Sequence, residues 1–310
     1  MKNITVAGGG VLGSQIAFQS AYRGFSVTVW LRMESSIGRA EPKFERVETI
    51  YLKTLEAMKT NPQAFCRGFG LSPEATPEEI DEKIAAAKSA RERITFTLDY
   101  EKAAQDADLV IEAIAENPQE KIEFYTKLAP LLPEKTIIAT NSSTMLPSAF
   151  AEYTRRPEKY LALHFANEIW RNNTAEIMGH DGTSPEAFKA VVKFAEDIAM
   201  IPLELKKEQP GYLLNSMLVP FLNSAQALLA NGVADHETID KTWKLATGAP
   251  LGPFQILDIV GLTTAYNIVS LSPEAADPST TPGRIASTLK SYIDQGKTGV
   301  NAGEGFYSYR

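Results

Sequence analysis

One short run near the start of the chain, Gly8-Gly9-Gly10-Val11-Leu12-Gly13, limits the possible folds more than anything else in the 310 residues. It fits Gly-x-Gly-x-x-Gly and stands between a β-type run, Asn3 to Ala7, and a helical run, Val11 to Arg23. Gly24 then stops the helix, and a second β-type run, Ser26 to Leu31, follows. In such a strand, helix, strand unit the glycines let the backbone turn tightly and approach a pyrophosphate. The phosphate charge meets the free amides and positive end of the helix. The motif is weak in isolation, and its place between strand and helix makes it specific. Gly8, Gly10, Val11, Leu12 and Gly13 are therefore the expected phosphate cradle of a dinucleotide. The competing reading is a plain strand-to-helix turn.

Further along, β-type runs keep alternating with helical patterns, as in a parallel sheet covered by helices. The runs are Ile94 to Leu98, Asp108 to Ile114, Thr136 to Thr140, Tyr160 to Ala166, Thr174 to Met178 and Pro202 to Lys206. Gln119 to Leu132 and Pro185 to Met200 read as helices. From Pro210 the pattern changes to long apolar-periodic segments punctuated by Gly and Pro. The expected fold class is α/β: a Rossmann-type doubly wound sheet over residues 1–209, followed by an all-helical C-terminal domain over 210–310. Residues 34–93 are too long for a simple crossover. Phe44, Val47, Ile50, Tyr51, Leu55 and Met58, then Ile80, Ile84 and Ala87, recur at helical spacing. A helical hairpin arm is the simplest reading, either a substrate clamp or a solvated excursion.

Composition narrows the function classes. A net charge of −7 argues against nonspecific binding to nucleic acid or anionic membrane. The single cysteine, Cys66, forms no internal disulfide, and with three histidines a structural metal site is not expected. The run after Met1 is too short for a secretory signal. Leu213 to Leu229 carries Asn215, Ser216, Pro220, Asn223, Ser224 and Gln226, too polar for a membrane span. The expected compartment is the cytoplasm.

Candidate chemistry lies after the strands, where open α/β sheets place their ligand crevice. A site that prefers an unphosphorylated ribose presents Asp or Glu at the end of the second strand; here that strand ends Val29-Trp30-Leu31-Arg32. A guanidinium beside Ser35 and Ser36 suits a 2′-phosphate, which leans the expected cofactor from NAD toward NADP. The alternative has Arg32 in solvent over an unselective pocket. Asn141-Ser142-Ser143 follows another strand, His164 lies near the end of Tyr160 to Ala166, and Glu176 sits in Thr174 to Met178. If the last two runs are neighbours, His164 and Glu176 face each other as a carboxylate-oriented general base. The structural alternatives are a buried core histidine and Ser143 as a helix cap.

Together with Val110 to Asn117 and Lys121, His164-Phe165 with Asn167, Pro210-Gly211 with Asn215, Gly252 to Leu262 and the tail Gly303 to Tyr307, these motifs cover nearly the whole chain. The chain resembles the L-3-hydroxyacyl-CoA dehydrogenases, including the short-chain 3-hydroxybutyryl-CoA enzymes. The resemblance implies an oxidoreductase that interconverts an L-3-hydroxyacyl-CoA and its 3-oxoacyl-CoA with a nicotinamide cofactor. It assigns His164 as base and Glu176 as its partner, with Ser143 and Asn215 holding substrate. Glu112, Ala115, Glu116, Lys121 and Asn141 fall near the cofactor, as does Asn117. Asn167 falls near the substrate, and Lys53 and Lys59 of the arm would meet CoA phosphates. The helical domain would form a homodimer.

The chain departs from the family where Phe-Asn-Pro-x-Pro usually follows the matching His-Phe pair. It reads Ala166-Asn167-Glu168-Ile169-Trp170-Arg171-Asn172-Asn173. The missing prolines are expected to free the loop, and Glu168 adds charge near the acyl group. Two further readings stay open: a dehydrogenase of free 3-hydroxy acids, with Arg171 binding a carboxylate, and a noncatalytic dinucleotide-binding protein.

Overall fold

The computed structural model describes residues 1–309 and divides into two compact units, Met1–Leu213 and the chain from Leu214 on. The strands of the first unit are β1 (Asn3–Ala7), β2 (Ser26–Trp30), β3 (Ile94–Thr97), β4 (Leu109–Glu112), β5 (Ile137–Thr140), β6 (Tyr160–Phe165), β7 (Thr174–Met178) and β8 (Ile201–Leu205). Each matches an expected run to within one or two residues. They form one sheet in the order β3-β2-β1-β4-β5-β6-β7-β8. All residues of β4 and β6 are buried, which is why these strands read as continuous apolar runs rather than alternating ones. Pairing is parallel throughout except between β6 and β7, where the chain doubles back. The order reverses at β1 and β4, and this switch point opens a crevice at their carboxyl ends.

Helix α1 (Val11–Tyr22) follows the glycine turn, and the arm comprises α2 (Glu34–Met58) and α3 (Pro77–Ala90). A capping box starts α3: Glu79 N donates to Thr76 Oγ1 at 3.3 Å, and Thr76 N donates to Glu79 Oε2 at 2.8 Å. Phe44, Val47, Tyr51 and Leu55 of α2, with Ile80, Ile84 and Ala87 of α3, lie in the same buried cluster as Phe18 and Tyr22 of α1. Each large side chain so buried contributes about 1.5–3 kcal/mol. The solvated excursion is thereby excluded. The buried Gln19 amide on α1 ties the arm down, because its Nε2 donates to Gly68 O at 2.8 Å and to Ile198 O at 2.6 Å, while its Oε1 accepts from the Tyr51 hydroxyl.

Helices α4 (Tyr100–Ala104), α5 (Pro118–Leu128) and α6 (Pro185–Asp197) complete the first unit. The second contains α7 (Leu214–Ala230), α8 (His236–Thr247), α9 (Pro253–Val260), α10 (Leu262–Val269) and α11 (Thr281–Asp294) around Phe254, Leu257, Leu262, Leu289 and Phe306. Two buried carboxylates give its glycine-rich motifs a purpose. Asp258 accepts from Phe306 N at 2.8 Å and Tyr307 N at 2.9 Å, and Asp240 accepts from Phe254 N at 2.8 Å and the Tyr307 hydroxyl at 3.0 Å. The tail is thus held by charge-assisted bonds. Among the described residues no helix is long and apolar enough to cross a membrane.

Candidate active site

The glycine turn has the geometry its pattern predicts. Gly8 sits at φ +116°, where a Cβ would lie 2.4 Å from Ala113 O. Gly10 caps α1, and a Cβ there would meet nothing within 4 Å. That open space beside the unpaired amides of a helix N-terminus fits a pyrophosphate. The adjoining cavity of about 390 Å³ is lined by Gly8, Gly9, Gly10, Leu31, Arg32 and Ala115, among others. Val11 is exposed at the turn, and Leu12 and Gly13 lie beneath it. Leu31 is buried at the position an acid would occupy. Arg32 is exposed at the rim of this cavity. Its Nη1 lies 2.9 Å from Glu120 Oε2 on the opposite wall. Arg39 and Lys43 of α2 also line the cavity. Sequence reasoning named Arg32, Ser35 and Ser36, of which Ser36 also lines the cavity, and missed Arg39 and Lys43, one turn apart on the same helix.

The antiparallel register sets His164 directly opposite Glu176. His164 Nδ1 is 3.1 Å from Glu176 Oε2, and its Nε2 is 3.2 Å from Ser143 Oγ. Both members of the pair are buried. Ionised Glu176 only accepts, so the imidazole proton belongs on Nδ1 and the lone pair on Nε2, toward Ser143. Ser143 itself is fixed from β4's side of the crevice: its N donates to Glu116 Oε1 at 2.6 Å, and Ser142 Oγ donates to Glu116 Oε2 at 2.8 Å. Ser143 is thus no helix cap but part of the constellation. Asn141 is buried and its Oδ1 accepts from Phe165 N at 3.1 Å, which joins the ends of β5 and β6.

Under this surface lies a closed polar network. Glu112 and Lys121 are 0% and 1% exposed, with Lys121 Nζ 2.7 Å from Glu112 Oε1. Glu112 also accepts from Ile114 N at 2.9 Å, Tyr125 Oη at 2.9 Å and Thr140 Oγ1 at 2.7 Å. Burial and the neighbouring Glu112 charge push the Tyr125 hydroxyl well above its ordinary pKa, so it stays a donor. The structure thus places Glu112 and Lys121 beneath the cofactor crevice as an internal pair, while Glu116 stands at its surface.

The loop after His164 is not loosened by its lost prolines. Gln15 Oε1 accepts from Glu168 N at 2.8 Å and from Ile169 N at 3.3 Å. Gly68 N donates to Trp170 O at 2.9 Å. Ile169 and Trp170 are buried, so apolar anchors and backbone bonds replace the proline constraint. The Glu168 side chain points to solvent at 57% exposure and Arg171 is similarly exposed. Asn167 is exposed beside them. Gln15 had only one sequence signal, a polar residue on the buried face of a helix. On the arm Lys53 is exposed, whereas Lys59 lies 2.7 Å from Asp81 and 3.0 Å from Glu56, bonds that raise its pKa and neutralise it locally. Asn215 lies in the first turn of α7, in the second unit.

Known proteins match this chain along its full length. Residues 3–209 match the 3-hydroxyacyl-CoA dehydrogenase NAD binding domain, and residues 211–309 match the 3-hydroxyacyl-CoA dehydrogenase C-terminal domain. A probable 3-hydroxybutyryl-CoA dehydrogenase of Bacillus subtilis is 31% identical, over 100% of this chain and 98% of that protein. The mitochondrial hydroxyacyl-coenzyme A dehydrogenase of Rattus norvegicus is 30% identical, over 100% of this chain and 92% of that protein. Among solved structures, a diketoreductase described as acting on dicarbonyl compounds is 48% identical, covers 100% of this chain and 99% of its own, and superposes with a TM-score of 0.85. A nucleotide cradle at the sheet's switch point, a paired histidine and glutamate, and similarity from end to end lead to one assignment: the chain belongs to the 3-hydroxyacyl-CoA dehydrogenase family, a family of oxidoreductases with a nicotinamide cofactor.

Proposed function

We propose that this protein interconverts an L-3-hydroxyacyl-CoA, short in its acyl chain, and the 3-oxoacyl-CoA, with His164 as general base. The observation that carries the reading is the imidazole held between Glu176 and Ser143, with Nδ1 toward the carboxylate and Nε2 toward the hydroxyl. A bound nicotinamide supplies the hydride acceptor. As the hydride leaves C3, Nε2 takes the hydroxyl proton and the C–O bond becomes a carbonyl. Glu176 compensates the imidazolium that forms, and Ser143 donates to the substrate oxygen. In reduction the same proton returns from Nε2.

A second reading, a dicarbonyl or free 3-hydroxy compound without CoA, is supported by the 48% identical diketoreductase and by the Lys59 ammonium already engaged by two carboxylates. Lys53 separates the two. If CoA is the carrier, Lys53→Gln raises KM for acetoacetyl-CoA by about threefold or more and leaves a pantetheine-truncated substrate unaffected. Faster turnover of a simple dicarbonyl than of acetoacetyl-CoA, with no effect of Lys53→Gln, decides for the second reading.

For the cofactor we infer NAD(H). The Arg32 to Glu120 pair supports this, because a 2′-phosphate would have to displace the Glu120 carboxylate and face its charge. The expected kcat/KM favours NAD(H) by about tenfold or more. Glu120→Gln, which releases Arg32, narrows the gap. Equal use of NADP(H) by the unaltered protein refutes the inference.

A further inference from the structure

Tyr212 lies flat on His164. Their ring centroids are 4.4 Å apart and their planes differ by 12°. Tyr212 is 1% exposed and sits at φ +55°, directly after Gly211 at φ +78°. A left-handed backbone is unfavourable for a residue with a Cβ, so surrounding contacts must hold it there. The turn brings three groups of one tripeptide segment onto the site. The phenol ring covers the imidazole, the hydroxyl donates to Ser142 O at 2.7 Å, and the next amide, Leu213 N, donates to Glu176 Oε1 at 2.8 Å.

We propose that Tyr212 is a positioning residue for His164, which holds the imidazole plane so that Nε2 stays aimed at Ser143, and whose π face favours the ring when it carries the proton. This rests on the reading of His164 as the base. The Glu176 and Ser143 bonds hold Nδ1 and Nε2 and leave the ring plane free to tilt about the line that joins them. A parallel ring removes the tilt. The negative face of the phenol also attracts an imidazolium more than an imidazole. Among the described residues the Glu176 carboxylate from β7 and the Ser143 hydroxyl after β5 lie within hydrogen-bond distance of the imidazole. Glu116 holds Ser143 N, and the charges of Glu116 and Glu112 act on Tyr212 itself.

The test uses the full-length protein with labelled histidines. Its three histidines, His164, His180 and His236, give a spectrum simple enough to titrate, with the His164 signal identified by its loss in His164→Ala. Tyr212→Phe keeps the ring and is expected to keep turnover within about threefold. Tyr212→Leu is expected to lower kcat about tenfold with KM within about twofold. It should also move the His164 titration, and the acid limb of the oxidation profile, down by about half a pH unit or more. The sign follows from losing stabilisation of the protonated form. Tyr212→Met, unbranched and able to adapt to the space the ring leaves, repeats the measurement should the leucine variant fail to fold. An unmoved titration with unchanged kcat in the leucine or methionine variant overturns the proposal. So does a phenylalanine variant as impaired as the leucine variant, since that assigns the effect to the hydroxyl. An active His164→Ala would instead overturn the base reading, while the titration in the Tyr212 variants still reports the stack.

Discussion

Turnover in His164→Ala is expected to fall about 100-fold or more while nicotinamide binding, followed by fluorescence titration, stays intact. The loss is that of the group receiving the hydroxyl proton, whereas the cofactor cradle lies at the glycine turn of α1 and does not include this side chain. Glu176→Gln should come close to the same loss. Both Glu176 oxygens are in use, Oε2 toward His164 Nδ1 and Oε1 toward Leu213 N. An amide has one oxygen. If that oxygen meets Leu213 N, the NH2 group faces Nδ1 and drives the imidazole proton to Nε2, which is then no base. Single-turnover measurement of hydride transfer reads both variants. A near-normal rate in His164→Ala would remove the histidine from the reaction.

The largest effect on stability is expected from Lys121→Met, about 3–5 kcal/mol, because it leaves the Glu112 carboxylate fully buried without its counter-ion. The hydroxyls of Tyr125 and Thr140 and the amide of Ile114 remain, but they donate to a charge that water cannot reach. The double variant Glu112→Gln/Lys121→Met removes both charges and should recover most of the loss. Lys193→Met breaks an exposed pair with Asp197 on α6 and serves as the control, with little change in Tm expected. Calorimetry of the full-length protein compares them. A lone Lys121→Met with the same Tm as the control would show that burial of this charge is not costly.

What the sequence makes legible follows from what each feature depends on. Strands buried on both faces announce themselves as apolar runs, and the glycine motif announces its turn, since both are local. The facing of His164 and Glu176 depends on one condition, that the two runs be neighbours, and the register satisfies it. The arm's apolar face was visible at Phe44 and Tyr51, but its resting place required Gln19, a side chain far along the chain. The lean toward NADP(H) rested on Arg32 read without a partner, and Glu120, on a distant helix, carries no local signal of the pair the two form. Loss of two prolines suggested a loose loop, and only the folded chain shows Gln15 and Gly68 holding it. Tyr212 stood inside the Pro210-Gly211 motif, but a stacked ring is a tertiary fact.

The single antiparallel pairing in the sheet makes the chemistry a matter of counting. A slip of one residue between β6 and β7 would bring Ala175 or Ile177 opposite His164 and turn Glu176 to the other face. Substitutions between Asn167 and Asn173 leave that count untouched, and the departure of this loop from Phe-Asn-Pro-x-Pro has been absorbed without disturbing the pair. Descent can therefore rewrite this loop letter by letter while the facing histidine and glutamate are inherited whole. A change in length spends that freedom, since it alters which residues meet across the hairpin.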